Sequence, residues 1–227
     1  MSDYKKYFPD HPTKQPNKSK WRFRQWQKME TGFKSLERPE TFQAAYDICK
    51  PANGQYEVEA QAIWTFLSTH NIKSIVEIGR NLGGNTFLMG CGAKELEEIL
   101  SLDIVRWSLT DDVMQPWFDY HGIHNIIGEA DSLDPEAVKS FDYKLESDEK
   151  WDFVYIDGGH TSEIVSSDIN NWKDRCHYIG FHDYADKKTN AHRKYFRGVT
   201  KSITKAKETY GWTVVGERAN SEVVFKT

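Results

Sequence analysis

Glycine, acidic and histidine residues follow short apolar runs in this sequence, and these residue types can hold ligands or move protons. The first run, Ser-Ile-Val-Glu-Ile, leads into Gly79-Arg80-Asn81-Leu82-Gly83-Gly84. Glycine permits positive φ angles and lets a ligand approach the backbone. A helix that starts near Asn85 would also point free N–H groups at such a ligand. The pattern indicates a binding turn, although an ordinary strand-to-helix connection uses the same glycines.

Two further acids follow the second and third apolar runs. Asp103 lies 24 residues after Gly79. At this position a carboxylate can accept hydrogen bonds from both hydroxyls of a ribose. Asp131, within Ala130-Asp131-Ser132, is placed to bond an adenine amino group. Either acid could instead cap a helix or loop. Together with the glycine turn, they favour a ligand that contains adenosine.

Acids and histidines follow the fourth and fifth runs. Asp157 and His160 come after one, and His182 and Asp183 come after the other. Carboxylates suit Mg²⁺ or Ca²⁺, and imidazole suits a softer metal. Either histidine could also serve as a general base. The alternative is that the histidines only pair with the acids.

The apolar runs alternate with amphipathic helical patterns, which predicts a parallel α/β sheet built from right-handed crossovers. Strands are expected at 74–79, 99–104, 125–128, 151–157, 178–182, 212–216 and 222–226. Helices are expected at 57–70, 85–96, 112–121, 135–143, 162–172 and 198–209, and Asp134 is expected to be the N-cap of the fourth. The last two strands predict an antiparallel closing pair. The expected fold is a Rossmann-like, doubly wound, seven-stranded mixed sheet, with ligands at the carboxyl ends of its strands.

The N-terminal part differs in composition from the rest. Residues 1–38 carry ten Lys/Arg against four Asp/Glu, and weak helical patterns occur at Trp21–Phe33 and Pro39–Cys49. We predict a basic, aromatic and partly helical extension over residues 1–54. Such an arm could bind phosphates or an acidic surface, or remain a solvated tail.

Composition and cysteine usage exclude several protein classes. The chain of 227 residues has no apolar run long enough for a bilayer, and its first twenty residues are polar and basic instead of an apolar signal. The three cysteines lack paired spacing, which argues for reduced thiols and against a disulfide framework. We expect a cytoplasmic protein without a membrane partner, and homo-oligomers remain an open alternative.

The order of these motifs resembles that of class I S-adenosylmethionine-dependent methyltransferases. Glu-Ile-Gly-x-x-x-Gly-Gly-Asn-Thr is similar to their motif I. Two later segments are similar to a branch that contains small-molecule and sugar O-methyltransferases, some of them metal-dependent. These are Ile156-Asp157-Gly158-Gly159-His160, with Glu163, Val165 and Asp168, and Phe181-His182-Asp183-Tyr184, with Gly198-Val199. The sequence departs from the branch at Gly159, Ser162 and Cys176-His177, where the branch has an acid, a tyrosine and paired glycines.

The resemblance implies a methyltransferase domain over residues 55–227 with S-adenosylmethionine as its cofactor. The cofactor contacts that it implies are Glu77, Gly79, Gly83, Asp103 and Asp131. It also implies a metal or substrate role for Asp157 and Asp183, with Mg²⁺ as the candidate ion. Methyl transfer requires an aligned nucleophile and removal of its proton. We therefore predict a small-molecule or sugar hydroxyl as acceptor, with Asp157, His160 and His182 as candidate catalytic residues.

Three other functions stay open. A nicotinamide oxidoreductase would have Gly-x-Gly-x-x-Gly, but Asn81 stands at the second glycine position. A nucleic-acid methyltransferase would use the basic arm, but Asp157-Gly158-Gly159-His160 replaces the Asn/Asp-Pro-Pro-Tyr typical of base N-methylation. For this reason the sequence does not favour a nucleic-acid partner. The third alternative is a domain that binds the cofactor without catalysing transfer.

Overall fold

The computed structural model describes Glu30, Phe33 and residues 35–105, 108–144, 147–184, 193–216 and 222–227, without the side chains of 108–110 and 193–195. The described helices are α1 (Phe42–Cys49), α2 (Glu57–Thr69), α3 (Gly84–Gly92), α4 (Ser108–Tyr120), α5 (Pro135–Phe141), α6 (Ser162–Trp172) and α7 (Arg193–Tyr210). The described strands are β1 (Ser74–Ile78), β2 (Glu98–Asp103), β3 (His124–Glu129), β4 (Trp151–Ile156), β5 (Cys176–Phe181), β6 (Thr213–Val214) and β7 (Val223–Lys226).

These strands form one seven-stranded sheet in the order β3-β2-β1-β4-β5-β7-β6. Strands β1 to β5 are parallel, and β7 is antiparallel to both β5 and β6. The predicted mixed sheet with a closing antiparallel pair is therefore confirmed. Strand order reverses between β1 and β4, so a ligand crevice is expected at their carboxyl ends.

The sheet is covered on both faces. All five residues of β1 are buried, as expected for a central parallel strand. Ile75 packs into a core that contains Phe66, Phe87 and Trp117. Val76, which points to the opposite face, packs into a second core with Trp172. No helix among the described residues is long and apolar enough to cross a membrane.

The predicted elements that lie within the described residues are present, most of them with shifted ends. Helix α3 ends at Gly92, short of the predicted residue 96, because the backbone of Ala93 is extended. Helix α4 begins at Ser108 and strand β5 at Cys176, both before their predicted starts. The predicted N-cap at Asp134 is confirmed, since its side chain accepts from the N–H groups of residues 136 and 137.

The core continues across residue 54. Ala45, Tyr46 and Cys49 of α1 are buried in the same core as the helices that follow. The chain at Ala52 and Asn53 then passes so close to α3 that a Cβ on Gly84 would lie 2.5 Å from the Asn53 nitrogen. Residue 54 is thus a boundary in composition, and the division into two domains stays a prediction. The predicted helix at 21–33 lies outside the described residues, apart from Glu30 and Phe33.

Candidate functional site

A cleft of ≈ 320 Å³ opens at the carboxyl ends of β1, β4 and β5. Its walls bring together the glycine turn, the segment before α2 and the acids and histidines predicted at the strand ends. The lining residues include Asn53, Gly79, Asn85, Asp157, His160 and Asp183. The strand-end residues of β1, β4 and β5 therefore share one site, as the topology requires.

The glycine turn is shaped by contacts within the protein. Gly79 has a φ of +94°, and a Cβ there would lie 2.2 Å from the Asp157 carbonyl oxygen. Gly83 has a φ of +75° and caps α3, and a Cβ on it would lie 2.2 Å from the Met114 side chain. Both glycines allow the turn to close tightly, so that the N-terminus of α3 faces the cleft.

Asn85, in the first turn of α3, presents an amide to this cleft. The residue is 8% exposed, and neither its Nδ2 nor its Oδ1 has a hydrogen-bond partner among the described residues. A buried amide in this state is expected to bind a ligand or water. Sequence reasoning included Asn85 in the motif without singling it out as a site residue.

Glu77 lies beneath the turn and is fully buried. Its Oε2 accepts hydrogen bonds from the Thr86 hydroxyl at 2.5 Å and the Ser101 hydroxyl at 2.8 Å. Burial raises the pKa of Glu77 to about 7, although both hydrogen bonds act to lower it. These contacts join β1, β2 and α3 directly under the cleft.

The predicted sugar and adenine acids lie at neighbouring strand ends and remain partly exposed. Asp103 accepts from the backbone N–H of Asn81 at 2.7 Å, which ties the glycine turn to β2. Asp131 accepts from the backbone N–H of Leu133 at 3.0 Å. Neither acid is among the residues that line the cleft.

A buried ion pair that sequence reasoning missed anchors the turn from its other side. Arg80, 3% exposed, pairs with Asp111 of α4, and both side chains are almost fully buried. Removing either partner would leave the other as an uncompensated buried charge.

Asp157, His160 and Asp183 also line the cleft, where they form a compact cluster. Each offers one ligand atom, and these atoms lie within 4.8 Å of one another. His160 Nε2 is 2.8 Å from Asp183 Oδ2, and this hydrogen bond raises the pKa of His160. Burial opposes ionisation of Asp183, but the two histidines lower its pKa to about 2. Asp183 also has a φ of +63°, a left-handed conformation that is uncommon for residues other than glycine and recurs at functional sites.

His182 is held between carboxylates on both edges of its ring. Its Nδ1 lies 3.0 Å from Asp157 and 3.3 Å from Asp183, and its Nε2 lies 3.3 Å from Glu59 and 3.7 Å from Glu222. Burial acts to lower the pKa of His182, but these carboxylates raise it well above its usual range. A protonated imidazole has no free lone pair, so His182 is suited to fixing the two aspartates in place.

Glu59 and Glu222 belong to a second polar layer below this histidine. Glu222 accepts from the Tyr155 hydroxyl at 2.8 Å, and that hydroxyl accepts from Gln55. Sequence reasoning missed all four residues. Acids on a helix or near a terminal strand are usually exposed, and nothing in the sequence marks these two as 3% and 1% exposed.

A comparison with known proteins finds a match over the part of the chain that contains most of this site. Residues 76–184 match a family model described as a methyltransferase domain. This segment runs from β1 to the end of the cluster around Asp183, and so it contains the glycine turn and the strand-end acids and histidines of the cleft. A search of curated protein sequences finds no match.

Solved structures share the fold at low sequence identity. A Staphylococcus aureus protein assigned as a caffeoyl-CoA O-methyltransferase aligns with a TM-score of 0.57 and 12% identity over 83% of this chain and 93% of its own. An O-methyltransferase from Bacillus cereus, in complex with S-adenosylhomocysteine, gives 0.53 and 13% over 84% and 92%. A Pyrococcus horikoshii protein assigned as an RNA methyltransferase gives 0.51 and 12% over 89% and 96%.

Proposed function

We propose that this chain, a class I S-adenosylmethionine-dependent methyltransferase by its domain match and fold, transfers the methyl group to a hydroxyl of a small molecule or sugar. The observation that carries the proposal is the contact between the glycine turn after β1 and the residue that follows β4. Gly79 lies against the backbone of Asp157, so a cofactor at the glycine turn and an acceptor at Asp157 would be neighbours. Such proximity supplies much of the acceleration that methyl transfer needs.

S-adenosylmethionine fits the part of the cleft formed by the glycine turn and Asn85. When bound, it supplies a methyl group that its sulfonium charge has already activated. The unpartnered amide of Asn85 provides a donor and an acceptor for a charged amino-acid group. Asp103 is proposed to hold the ribose and Asp131 the adenine, with Gly79 and Gly83 at the turn and Glu77 supporting it from below. Calorimetric titration should detect binding of S-adenosylmethionine and none of NAD⁺, and the reverse result would reject the assignment.

A divalent ion such as Mg²⁺ fits the cluster of Asp157, His160 and Asp183. Asp157 and Asp183 are the proposed ligands, because paired carboxylates at this spacing suit a hard cation. When bound, the ion would lower the pKa of an acceptor hydroxyl. His182 keeps both carboxylates oriented from behind.

His160 is the proposed general base, and His182 is the less suitable of the two histidines. His160 keeps Nε2 on Asp183, which leaves Nδ1 of the neutral ring to accept the acceptor's proton. Its side chain is 44% exposed, whereas that of His182 is 14% exposed and surrounded by acids. We expect His160→Gln to lower turnover without weakening metal binding. A loss of metal affinity would instead make His160 a ligand.

The central experiment is the substitution Asp157→Ala. Turnover should fall at least a hundredfold, since general acid-base and metal contributions of this kind have about that size. Affinity for S-adenosylmethionine should stay nearly unchanged. Asp174→Ala, at an acid whose side chain is 79% exposed, is the matched control. Undiminished turnover in Asp157→Ala would contradict the proposal.

A further inference from the structure

One face of α7 carries a row of basic side chains. Arg197, Lys201 and Lys205 recur every four residues, and all three are exposed. At a rise of about 1.5 Å per residue, the row is roughly 12 Å long with steps of about 6 Å. The opposite face of the helix, with Val199 and Ile203, is buried in the core.

These charges are not neutralised within the described part of the chain. No ion pair joins Arg197, Lys201 or Lys205 to another described residue, whereas Lys50 and Lys139 each pair with a nearby acid. Helix α7 contains six Lys/Arg and one acidic residue, in a chain of net charge −4. The row is therefore a local positive surface on an acidic protein.

The row begins at the mouth of the cleft. Phe196, next to Arg197, lines the cleft, and its ring packs edge-on against that of His160 at 5.6 Å. Helix α7 is fixed at this place, because a Cβ on Gly198 would lie 2.9 Å from the His160 carbonyl oxygen. An acceptor bound along the row would thus reach the proposed base at a defined distance.

We propose that this row binds the phosphates of a single-stranded RNA, and that the acceptor is a ribose hydroxyl of that strand. This inference rests on the proposed sugar O-methylation and specifies its substrate class. A row of regularly spaced cations along a helix complements a sugar-phosphate backbone. An aromatic ring at its start offers a surface on which a base can stack. A single strand fits better than a duplex, because the reacting sugar must enter the cleft.

The test measures binding of a fluorescein-labelled single-stranded RNA of about 12 nucleotides by fluorescence anisotropy, without methyl donor, at several salt concentrations. The triple variant Arg197→Gln/Lys201→Gln/Lys205→Gln is compared with Lys94→Gln/Lys150→Gln/Lys226→Gln. The control removes the same net charge from exposed lysines with no ion-pair partner among the described residues. Calorimetry with S-adenosylmethionine verifies that each variant is folded and tests the proposed cofactor independently of RNA.

For the unmodified protein, log K should fall with log salt at a slope of about −2, as expected for three phosphate contacts on a single strand. The α7 variant should bind at least about tenfold more weakly at low salt and lose most of this slope, while the control keeps both. Equal weakening in the two triple variants would overturn the proposal. The absence of RNA binding would also overturn it, and so would binding of heparin as tight as that of the RNA. Neither result would affect the cofactor assignment.

Discussion

Gly79 shows how one residue can fix the geometry of the whole cleft. Its positive φ and its contact with Asp157 are two separate reasons for glycine, and the structure offers a second glycine that has only the first of them. Gly211 also has a positive φ, +69°, but nothing lies within 4 Å of a Cβ placed there. A comparison of alanine at the two positions therefore separates backbone strain from the steric contact.

We predict that Gly211→Ala lowers the free energy of unfolding by only about 1–2 kcal/mol, the cost of a left-handed conformation. Gly79→Ala should cost more and should also reduce turnover, because the added methyl must displace the backbone of Asp157. Urea denaturation and an activity assay on both variants measure the difference. Equal effects at the two glycines would show that the contact with Asp157 is unimportant.

Asp168 should make the stability of the folded protein depend on pH. The residue is fully buried on α6, and burial raises its pKa from 3.8 to about 7. The folded protein therefore binds more protons than the unfolded chain across this window, so its stability should fall as pH rises from about 4 to 7. The loss at pH 8 should approach about 4 kcal/mol.

Asp168→Asn should remove this dependence, so that the variant gains stability relative to the unmodified protein as pH rises. Urea denaturation at pH 5 and pH 8 checks the sign. Glu77, whose pKa is also near 7, contributes to both proteins and cancels in the comparison. A variant that is destabilised equally at both pH values would show that the charged carboxylate has a favourable partner.

At the scale of elements, Arg38 clamps the end of α3. Its guanidinium donates to the carbonyl oxygens of Gly90 at 2.5 Å, Ala93 at 2.7 Å and Lys94 at 3.0 Å. A cation is favourable at a helix C-terminus, where the last carbonyls lack helical partners. Helix α3 starts at the glycine turn, so this contact secures the far end of the element that faces the cofactor site.

Arg38→Met keeps the apolar stem and removes these bonds. We expect it to lower the free energy of unfolding by about 2 kcal/mol, in the range found for hydrogen bonds to charged groups. Lys94→Ala, at an exposed neighbour, should change it by less than about 0.5 kcal/mol. Thermal unfolding of both variants measures this, and equal melting temperatures would rule out the clamp.

The bounds of an element could be predicted where its apolar residues were regularly spaced and a capping residue marked its end. Helix α6 has its predicted bounds because Thr161 caps it and four apolar residues share one face. Strand β5 begins earlier than predicted because Cys176 pairs with Trp151 across the sheet. That pairing depends on the position of a neighbouring strand, which no local pattern reveals.

At the scale of the whole molecule, the candidate site combines parts that are distant in sequence. The strand-end residues Asp157, His160 and Asp183 could be predicted together, because parallel topology brings strand ends to one edge. Glu59 and Glu222 could not, because their burial depends on how α2 and the entry to β7 pack beneath His182. The sequence therefore predicted the upper layer of the cluster and missed the layer that supports it.

The core is continuous across residue 54, so the residues before it should be needed for folding. Removing residues 1–54 would delete Ala45, Tyr46 and Cys49 from the core and uncover the helices packed against them. The loss of one buried aromatic residue alone costs about 3–5 kcal/mol, and typical domains have only about 5–15 kcal/mol in total. The truncated chain should therefore show no cooperative thermal transition by circular dichroism. Tyr46→Ala, which removes a single buried ring, should still fold and melt at a lower temperature. A truncated chain that unfolds cooperatively at the full-length temperature would instead establish residue 54 as a true domain boundary.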